Sequence, residues 1–326
     1  MTILLTGAAG FIGFHVAKTL LERGERIIGI DNLNEYYDVR LKKARLAILC
    51  DFGGFSFVKL DVADRTGVLG LVDSRNDLRS IIHLAAQAGV RYSLENPHAY
   101  IDANVTGTLV MLEAARRIDD LTAITYASSS SVYGANKKQP FSVEDRVDEP
   151  VSLYAATKRS CELMAHTFSH LYGLPATGLR YFTVYGPWGR PDMAAYLFTR
   201  AILAGEPIKA FNQGRMARDF TYIDDIVAGT IAAHDRPPAV ARGVPHRLYN
   251  LGNNHPEKLL DFIGVLEREL GRTARKELLP LQPGDVPESF ADIEASRRDL
   301  GFEPKTTIDV GLARFVEWYK QYHKVS

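Results

Sequence analysis

A tyrosine and a lysine four residues apart could act together as an acid–base pair. Tyr154 and Lys158 lie in a segment with helical spacing, Leu153–Tyr172, so both side chains face the same side of the helix. An ammonium group beside a phenol favours the phenolate, which can remove a proton from a hydroxyl while a hydride leaves the same carbon. An ordinary surface pair on the helix is the alternative, because this spacing is common.

Four consecutive serines, at 128–131, directly follow a predicted strand over 123–127. In a sheet of parallel strands, side chains at the carboxyl ends face the crevice in which ligands bind. The serines are therefore candidates for ligand contacts. For two of the four serines, the alternative is that they only form a serine-rich turn.

A glycine-rich segment, TGAAGFIG at 6–13, stands where a first predicted strand meets a first helix. Gly7 permits a tight turn, Gly10 lets the backbone approach a pyrophosphate at the helix N-terminus, and Gly13 allows close packing of helix on strand. A glycine triplet alone could be a turn with tight packing. Here strand, loop and helix follow in the order that predicts a dinucleotide site.

An acidic residue ends the second predicted strand, Arg26–Asp31. Asp31 comes 18 residues after Gly13, and a carboxylate there can hydrogen-bond a ribose diol but would repel a 2′-phosphate. The pattern therefore predicts NAD rather than NADP. Asp61 and Val62, after the third strand, could flank the adenine, although Asp61 could also cap the following helix.

The elements that position these residues alternate between short apolar runs and amphipathic segments. This rhythm predicts an α/β fold, a Rossmann-type doubly wound parallel sheet, with a long helix over 98–118. Most of the 15 prolines come after residue 180, which indicates a smaller α+β domain there. The predicted division is 1–180 for NAD and 181–326 mainly for a substrate, with segments around 219–252 returning to the first domain.

The composition excludes several classes of protein. Among 326 residues, 39 Lys and Arg balance 39 Asp and Glu, which argues against nucleic acid or membrane as partners. Two cysteines, Cys50 and Cys161, cannot form a disulfide framework, and the histidines have no metal-ligand spacing, so we expect no metal. The sequence has neither a signal-peptide pattern nor an apolar run that could span a membrane, and we expect a cytoplasmic protein.

Together these motifs resemble the extended short-chain dehydrogenase/reductase family. The chain carries GAAGFIG at 7–13, a serine-rich strand end followed by VYG, and YAATK at 154–158. LRYF at 179–182 and RDFTYIDD at 218–225 are similar to its nucleotide-sugar epimerase and dehydratase branch. The resemblance spans essentially the whole chain. It implies bound NAD and a sugar nucleotide held by the C-terminal part.

The resemblance also implies roles for individual residues. Ser129 is the catalytic hydroxyl, Tyr154 the base and Lys158 its partner. The residues expected to bind the cofactor are Gly7, Gly10, Phe11, Ile12, Gly13, Asp31, Asn32, Asp61, Val62, Leu84, Ala85, Ala86, Gln87, Tyr154 and Lys158. A catalytically silent NAD-binding regulator on this fold would have no need of all three catalytic residues.

Residues near the catalytic hydroxyl separate the reactions of this branch. The 4,6-dehydratases of the branch that this chain resembles have a Thr-Asp-Glu pattern at the position of its serines 129–131. This chain therefore lacks the acidic pair that acts as acid and base in dehydration. DNLNEYYDV at 31–39, TVYGPWGRPDM at 183–193 and QPGDVP at 282–287 resemble 4-epimerases that act on UDP-glucuronate. This implies reversible conversion to UDP-galacturonate through a 4-keto intermediate. The alternatives are a UDP-hexose 4-epimerase and a UDP-glucuronate decarboxylase.

A uronate oxidised at carbon 4 is a β-keto acid, which tends to lose carbon dioxide. Hydroxyls at 128–131 and at Thr183 could hold the carboxylate away from the cleaving orientation. The similar UDP-glucose 4-epimerases carry an Asn where this chain has Thr183. This difference indicates that the sugar pocket differs from theirs. The full set of expected substrate residues is Ser128, Ser129, Ser130, Thr183, Arg190, Phe211, Arg218 and Asp285.

The UDP part of the substrate needs local positive charge because the chain is neutral overall. Arg190 and Arg218 are expected to bind the diphosphate, and Arg91 could also reach it, with surface ion pairs as the alternative. Asp285 is expected to meet the uridine ribose, or to cap a loop. Phe211 could border the uracil, or pack in the core.

The predicted helices 98–118 and 153–172 could pair with their copies in a homodimer, as the family often does. Burial within one subunit is the alternative.

Overall fold

The computed structural model describes residues 2–239, 243–281 and 287–325. In the first half, a π-helical turn, Ile101–Thr106, joins α5 to α6. The elements are β1 (Thr2–Thr6), α1 (Phe11–Glu22), β2 (Arg26–Asp31), α2 (Val39–Cys50), β3 (Phe55–Lys59), α3 (Arg65–Asp73), β4 (Leu78–His83), α4 (Tyr92–Glu95), α5 (Pro97–Tyr100), α6 (Gly107–Ala115), β5 (Ala123–Ser129), α7 (Leu153–Tyr172) and β6 (Ala176–Tyr181).

The second half contains mostly shorter strands. Its elements are β7 (Thr183–Tyr185), α8 (Ala194–Ala204), β8 (Pro207–Ala210), β9 (Ala217–Tyr222), α9 (Ile223–Asp235), β10 (His246–Leu251), β11 (Pro256–Lys258), α10 (Leu259–Leu270), β12 (Arg275–Leu278), β13 (Glu288–Ser289), α11 (Glu294–Leu300) and α12 (Ile308–His323). Two short 3₁₀ turns, Ser130–Tyr133 and Asn212–Gly214, follow β5 and β8.

Seven parallel strands form the central sheet, in the order β10-β6-β5-β4-β1-β2-β3. From β1 at its interior, the chain proceeds outward through β2 and β3, then crosses over to β4 on the other side. The doubly wound architecture expected from the sequence is confirmed. In such sheets, ligands bind beyond the carboxyl ends of the strands where the winding reverses, here between β1 and β4.

The chain returns to the central sheet late. β10 pairs with β6 from His246 opposite Ala176 to Leu251 opposite Tyr181, and α9 packs on α1 and β5. Both elements lie largely in the segment for which a return to the first domain was expected. The domain boundaries themselves stay a prediction.

The smaller part is built around β9, which pairs with β7, β11 and β13. A buried carboxylate, Asp219, connects this strand to two other segments. It accepts backbone N–H groups from Asn254 and Ala291, each at 3.0 Å, and the hydroxyl of Thr221 at 2.9 Å. Burial raises the pKa of Asp219, and these hydrogen bonds oppose that shift.

Apolar clusters cover both faces of the central sheet. In β1, Ile3 and Leu5 point into one cluster while Leu4, between them, points into the other. Successive strand residues face opposite sides of a sheet. A strand buried on both faces therefore reads as a continuous apolar run, which is why β1 could be predicted.

Two predicted elements differ from the structure. The helix expected over 98–118 is interrupted by the wide π turn, which places Asn104 inside the protein. The strand expected over 123–127 continues to Ser129, because β5 keeps pairing with β6 as far as Ser129 opposite Tyr181. Among the described residues, no helix is long and apolar enough to cross a membrane.

Candidate active site

A crevice with a volume of about 1170 Å³ opens at the carboxyl ends of the central strands. Sites for single drug-sized ligands measure about 300–1,000 Å³, so this crevice is larger than a site for one such ligand. All the site residues expected from the sequence line it, apart from Asp285, which lies outside the described residues.

The glycine loop forms one wall of the crevice. Gly7 has φ +73°, and a Cβ there would lie 2.8 Å from the backbone nitrogen of Ala85, beyond β4. A Cβ on Gly13 would lie 2.1 Å from the carbonyl oxygen of Gly7. Helix α1 begins at Phe11, and no side chain among the described residues caps its first turn. Its backbone N–H groups are therefore suited to bind an anion.

The carboxylate of Asp31 is held firmly at the end of β2. Its two oxygens accept the backbone N–H groups of Ala9 at 3.2 Å and Leu33 at 2.8 Å. Burial raises the pKa of Asp31, while these hydrogen bonds and the charge of Lys42 oppose that shift. The carboxylate stands next to the glycine loop, as a ribose contact requires.

Asp61 does not cap helix α3. That role belongs to Asp64, whose carboxylate accepts the N–H of Gly67 at 3.0 Å. Asp61 instead accepts the side-chain amide of Asn32 at 2.7 Å and the N–H of Ala63 at 2.9 Å. These bonds join the ends of β2 and β3 where both line the crevice.

The three candidate catalytic residues come from two neighbouring elements. Ser152 caps α7 through the N–H of Ala155, which places Tyr154 in the first turn and Lys158 one turn later. The Lys158 ammonium is buried and donates to the carbonyl of Ala127, in β5, at 2.9 Å. Ser129 ends β5, and with Tyr154 and Lys158 it lines the same crevice.

The serines after Ala127 differ in what they contact. Ser128 is buried and donates its hydroxyl to Glu162 at 2.7 Å, so its proton is used within the protein. Ser129 donates to the hydroxyl of Ser131 at 3.2 Å. Ser128 is thus held by a buried carboxylate, whereas Ser129 donates only to another hydroxyl, in a longer hydrogen bond.

Arginines from both halves of the chain line the crevice. Arg190 forms a bidentate ion pair with Asp192, at 3.0 Å and 2.5 Å, and Asp192 also accepts the Tyr36 hydroxyl at 3.1 Å. The ion pair, considered from the sequence as the alternative role of Arg190, is thus present in the structure. Its contact with the diphosphate stays a prediction.

Arg91 and Phe211 meet across the crevice, with the guanidinium 5.1 Å from the ring centroid. Phe211 is therefore at the crevice rather than in the core. Arg218 donates from Nη1 to the carbonyls of Ala217 at 2.9 Å and Pro287 at 3.2 Å.

The crevice is positively charged although the chain is neutral overall. Seven cationic side chains and four acidic ones are among the described residues that line it. They are Lys42, Arg91, Lys158, Arg190, Arg200, Lys209 and Arg218, against Asp31, Asp61, Asp192 and Glu206. A site with this balance suits two ligands that each carry a diphosphate.

The chain matches a known protein family over most of its length. The model of the NAD dependent epimerase/dehydratase family matches residues 3–252. The chain belongs to this family.

Relatives in this family match the chain over its full length. A protein from Rhizobium meliloti named a probable UDP-glucuronate 4-epimerase is 48% identical, with 99% of this chain and 98% of the relative covered. UDP-glucuronate 4-epimerase 4 of Arabidopsis thaliana is also 48% identical, over 99% of this chain and 76% of its own.

A solved structure matches closely as well. It is the UDP-glucuronic acid 4-epimerase of Bacillus cereus in complex with UDP-glucuronic acid and NAD, with a TM-score of 0.91 and 35% identity. The match covers 99% of this chain and 100% of that one.

Two charged residues beneath the site were missed by the sequence analysis, although one of them, Arg180, lies in a motif that resembles the family. Arg180 donates to both oxygens of Glu162, at 2.8 and 2.9 Å, and both side chains are buried. Burial would raise the pKa of Glu162, but the contacts with Arg180, together with those of Ser128 and Arg159, hold it below the ordinary value. A charge in the buried strand β6 was a usable signal, since buried charges need partners.

Asn104 is a further residue that sequence reasoning missed. Its side-chain oxygen accepts the N–H of Gln87 at 2.8 Å, and its amide donates to the carbonyl of Gln87 and the hydroxyl of Thr157, both at 3.0 Å. These bonds hold the loop after β4 against α7. The regular helix predicted over this region gave no indication that the Asn104 side chain is buried.

His83, at the end of β4, is neutral. Burial and the charge of Lys158 lower its pKa to about 3. Its ring nitrogens meet the hydroxyls of Thr6 at 2.8 Å and Thr108 at 3.3 Å, so the imidazole serves as a buried hydrogen-bonding group. It adds no charge beneath the site.

Proposed function

We propose that this protein is an NAD-dependent 4-epimerase that interconverts UDP-glucuronate and UDP-galacturonate. One observation carries the proposal: Ser129, Tyr154 and Lys158 share a crevice with the glycine loop, in a chain that matches epimerases of that name over its full length. The same arrangement leaves the dehydratase reaction without its acidic pair, because serines stand at 129–131.

The residues present fit NAD. The cradle at Gly7 and Gly13 has no space for a Cβ, and the Asp31 carboxylate suits a ribose diol better than a 2′-phosphate. Asn32, Asp61 and the residues at 84–87 line the remaining wall. NAD bound there would supply the reversible acceptance of a hydride from carbon 4 of the sugar.

Tyr154 is the base that accepts the proton of the carbon-4 hydroxyl, and Ser129 hydrogen-bonds the same oxygen. The Lys158 ammonium, fixed to the Ala127 carbonyl, lies one helical turn after Tyr154 and supplies positive charge on the same side of α7. Once the 4-keto sugar has presented its opposite face, Tyr154 returns the proton. Acid and base are thus one side chain used in both directions.

The hydroxyl groups beside Ser129 hold the uronate carboxylate. Ser130 and Ser131 follow the end of β5, and Thr183 begins β7, directly after β6, the strand that pairs with β5. Charge-assisted hydrogen bonds favour the carboxylate, whose charge is lost when carbon dioxide leaves. Decarboxylation of the 4-keto intermediate is therefore slowed relative to return of the hydride.

Replacing Thr183 by valine is expected to raise the ratio of UDP-pentose to UDP-galacturonate roughly 10- to 100-fold, as the loss of one hydrogen bond to a charged group implies. Valine keeps the branched shape that β7 needs and removes only the hydroxyl. Carbon dioxide release and nucleotide-sugar chromatography measure the ratio. Thr167→Val, the same change on the exposed side of α7, should leave it unaltered. An unchanged ratio in Thr183→Val contradicts the proposed restraint.

The substrate assignment is tested by separate incubation of the purified protein with UDP-glucuronate, UDP-glucose and UDP-xylose. Conversion of UDP-glucuronate to UDP-galacturonate is the expected result. Conversion of UDP-glucose alone would identify a UDP-hexose 4-epimerase. Formation of UDP-pentose from UDP-glucuronate as the main product would identify a decarboxylase.

We also propose that the protein is a homodimer. Support comes from exposed apolar side chains on neighbouring helical segments: Ile101 in the π turn, Leu109 on α6 and Leu163 on α7. Two copies of such a helix pair can bury these side chains against each other around a twofold axis.

Light scattering should therefore give twice the mass of the chain, and Leu163→Asp should give the mass of a monomer, because a carboxylate would have to be buried. Val310→Asp, an equally exposed position on α12, is the control and should remain a dimer. A monomeric unmodified protein would contradict the dimer.

The cytoplasm is the proposed location. Both cysteines are free thiols, Cys50 exposed and Cys161 buried, which suits a reducing compartment. Neither nucleic acid nor membrane is proposed as a partner.

A further inference from the structure

A buried arginine outside the crevice connects two segments of the chain that border the crevice. Arg45, on α2, is fully buried and reaches the glycine loop with Nη1, which donates to the carbonyl of Ala9 at 2.8 Å. Nη2 donates to the carbonyl of Trp188 at 2.5 Å, in the segment 186–193 that follows β7. One guanidinium thus bridges the glycine loop, 36 residues before Arg45, and a segment that lies 143 residues after it.

Within the described part of the chain, Arg45 forms no direct ion pair, and its charge acts on the Asp31 carboxylate only from a distance, where it opposes the rise in the pKa of Asp31. Among the described residues, no carboxylate lies within 4 Å of its guanidinium, and Nε has no hydrogen-bond partner. Its remaining contacts are the Tyr37 hydroxyl at 2.8 Å and the Gly189 carbonyl at 3.5 Å. A buried charge of this kind is costly unless an opposite charge approaches it. The glycine loop in front of Arg45 is where the two phosphates of NAD are proposed to bind.

The segment 186–193 is held tightly against helix α1. His15 contacts the Pro187 carbonyl at 2.9 Å, and the Trp188 ring packs on Phe14 and Trp318, at centroid distances of 5.6 and 5.4 Å. Trp188 has φ +62°, an unfavourable backbone conformation for a bulky residue, which persists only where the surroundings impose it. Arg45 is one of the groups that impose it.

The same segment also reaches the substrate end of the crevice. It carries Arg190 and Asp192, and the Tyr36 hydroxyl from the cofactor side donates to Asp192. Arg45 therefore fixes the position of a segment that borders both proposed ligands.

We propose that Arg45 is a positioning residue that keeps NAD from leaving during the catalytic cycle. The epimerisation is redox-neutral, so a cofactor lost halfway would leave the sugar oxidised and the protein inactive. Arg45 prevents this loss by supplying positive charge behind the glycine loop and by fixing segment 186–193, which lines part of the crevice. This inference rests on the proposed NAD-dependent function.

Replacing Arg45 by methionine removes the charge and both bridging hydrogen bonds while it keeps an unbranched side chain. We expect NAD to dissociate about 10- to 100-fold faster, the change that loss of a charged hydrogen bond produces. The protein is purified with its NAD and diluted into buffer that contains an NAD-degrading enzyme. The NAD that remains is then measured by chromatography after denaturation.

Arg45→Lys provides a milder variant that retains the charge. A lysine ammonium is a compact point charge without the planar fork of arginine, so it cannot span both carbonyls, and we expect NAD loss between that of the unmodified protein and Arg45→Met. Arg40→Met is the matched control, since Arg40 is on α2 but is exposed and paired with Asp38. It should retain NAD as the unmodified protein does.

Thermal unfolding distinguishes this role from a purely structural one. If Arg45 acts on the cofactor, the rise in Tm that saturating NAD produces will be smaller in Arg45→Met and Arg45→Lys than in the unmodified protein. A structural role alone would lower Tm equally with and without NAD. Unchanged NAD dissociation in both variants, or an unchanged rise in Tm, overturns the inference. Absence of NAD from the unmodified protein would instead refute the proposed function.

Discussion

Replacing Tyr154 by phenylalanine is expected to slow epimerisation of UDP-glucuronate about 1,000-fold, within the range of about 100- to 10,000-fold that a positioned acid–base group contributes. The change removes one oxygen atom and keeps the ring, which packs edge-on against Tyr100 with 6.0 Å between centroids. Lys158 keeps its own anchor, the Ala127 carbonyl, so the rest of the site should stay in place.

Turnover of Tyr154→Phe is measured by chromatography of the nucleotide sugars, and substrate binding by calorimetry. Affinity for UDP-glucuronate and NAD content should change little, because the loss concerns the transition state. Tyr172→Phe, a change on the exposed end of the same helix, should have full activity. Undiminished turnover of Tyr154→Phe would contradict the mechanism, whereas equal losses in both variants would indicate a general effect on α7.

Replacing Glu162 by alanine is expected to destabilise the protein by about 3–5 kcal/mol, the cost of leaving one charge of a buried pair without its partner. Arg180 would lose both of its carboxylate contacts while it remains enclosed, and its Nη1 already has no hydrogen-bond partner among the described residues. Ser128 would lose its acceptor as well, at the strand end that carries Ser129.

Urea unfolding of the protein without NAD, followed by circular dichroism, measures the loss of stability. Glu113→Ala is the control, because Glu113 pairs with the exposed Arg65 and such surface pairs contribute about 0–1 kcal/mol. A combined Glu162→Met and Arg180→Met protein should recover much of the stability, since no fully buried charge is then left unpaired. Arg159, which also contacts Glu162 at 3.1 Å, is partly exposed and can be solvated. A loss in Glu162→Ala no larger than that of Glu113→Ala would contradict the role of the buried pair.

The features that could be predicted from the sequence depend on neighbouring residues in the chain. Strand β1, the glycine loop and α1 follow one another within 22 residues, and their spacing alone indicates a dinucleotide site. Tyr154 and Lys158 are one helical turn apart, so a helix prediction is enough to place them on one face. Asp31 could be located in the same way, from its place at the end of β2.

Features that depend on distant parts of the chain could not be predicted. Ser128 was expected to face a ligand, but its orientation follows from Glu162, which lies 34 residues away on another element. For Phe211, the sequence did not distinguish a place beside the uracil from a place in the core. For Asp61, it did not exclude a capping role, which was wrong. Neither position lies in a periodic pattern that could have decided the matter. The break in the helix over 98–118 is imposed by the contacts of Asn104 with Gln87 and Thr157, which helical periodicity does not reveal.

The sequence by itself determined the α/β class, the dinucleotide loop, the carboxylate at the end of β2 that suits a ribose diol, and the tyrosine–lysine pair. All of these follow from local spacing, since backbone periodicity and turn formation act over a few residues. Only the tertiary structure decided that β10 completes the sheet, that Glu162 pairs with Arg180, and that Arg45 joins Ala9 to Trp188. Such partners are chosen by how the whole chain packs, because a buried charge can be paired from any segment that the fold brings near.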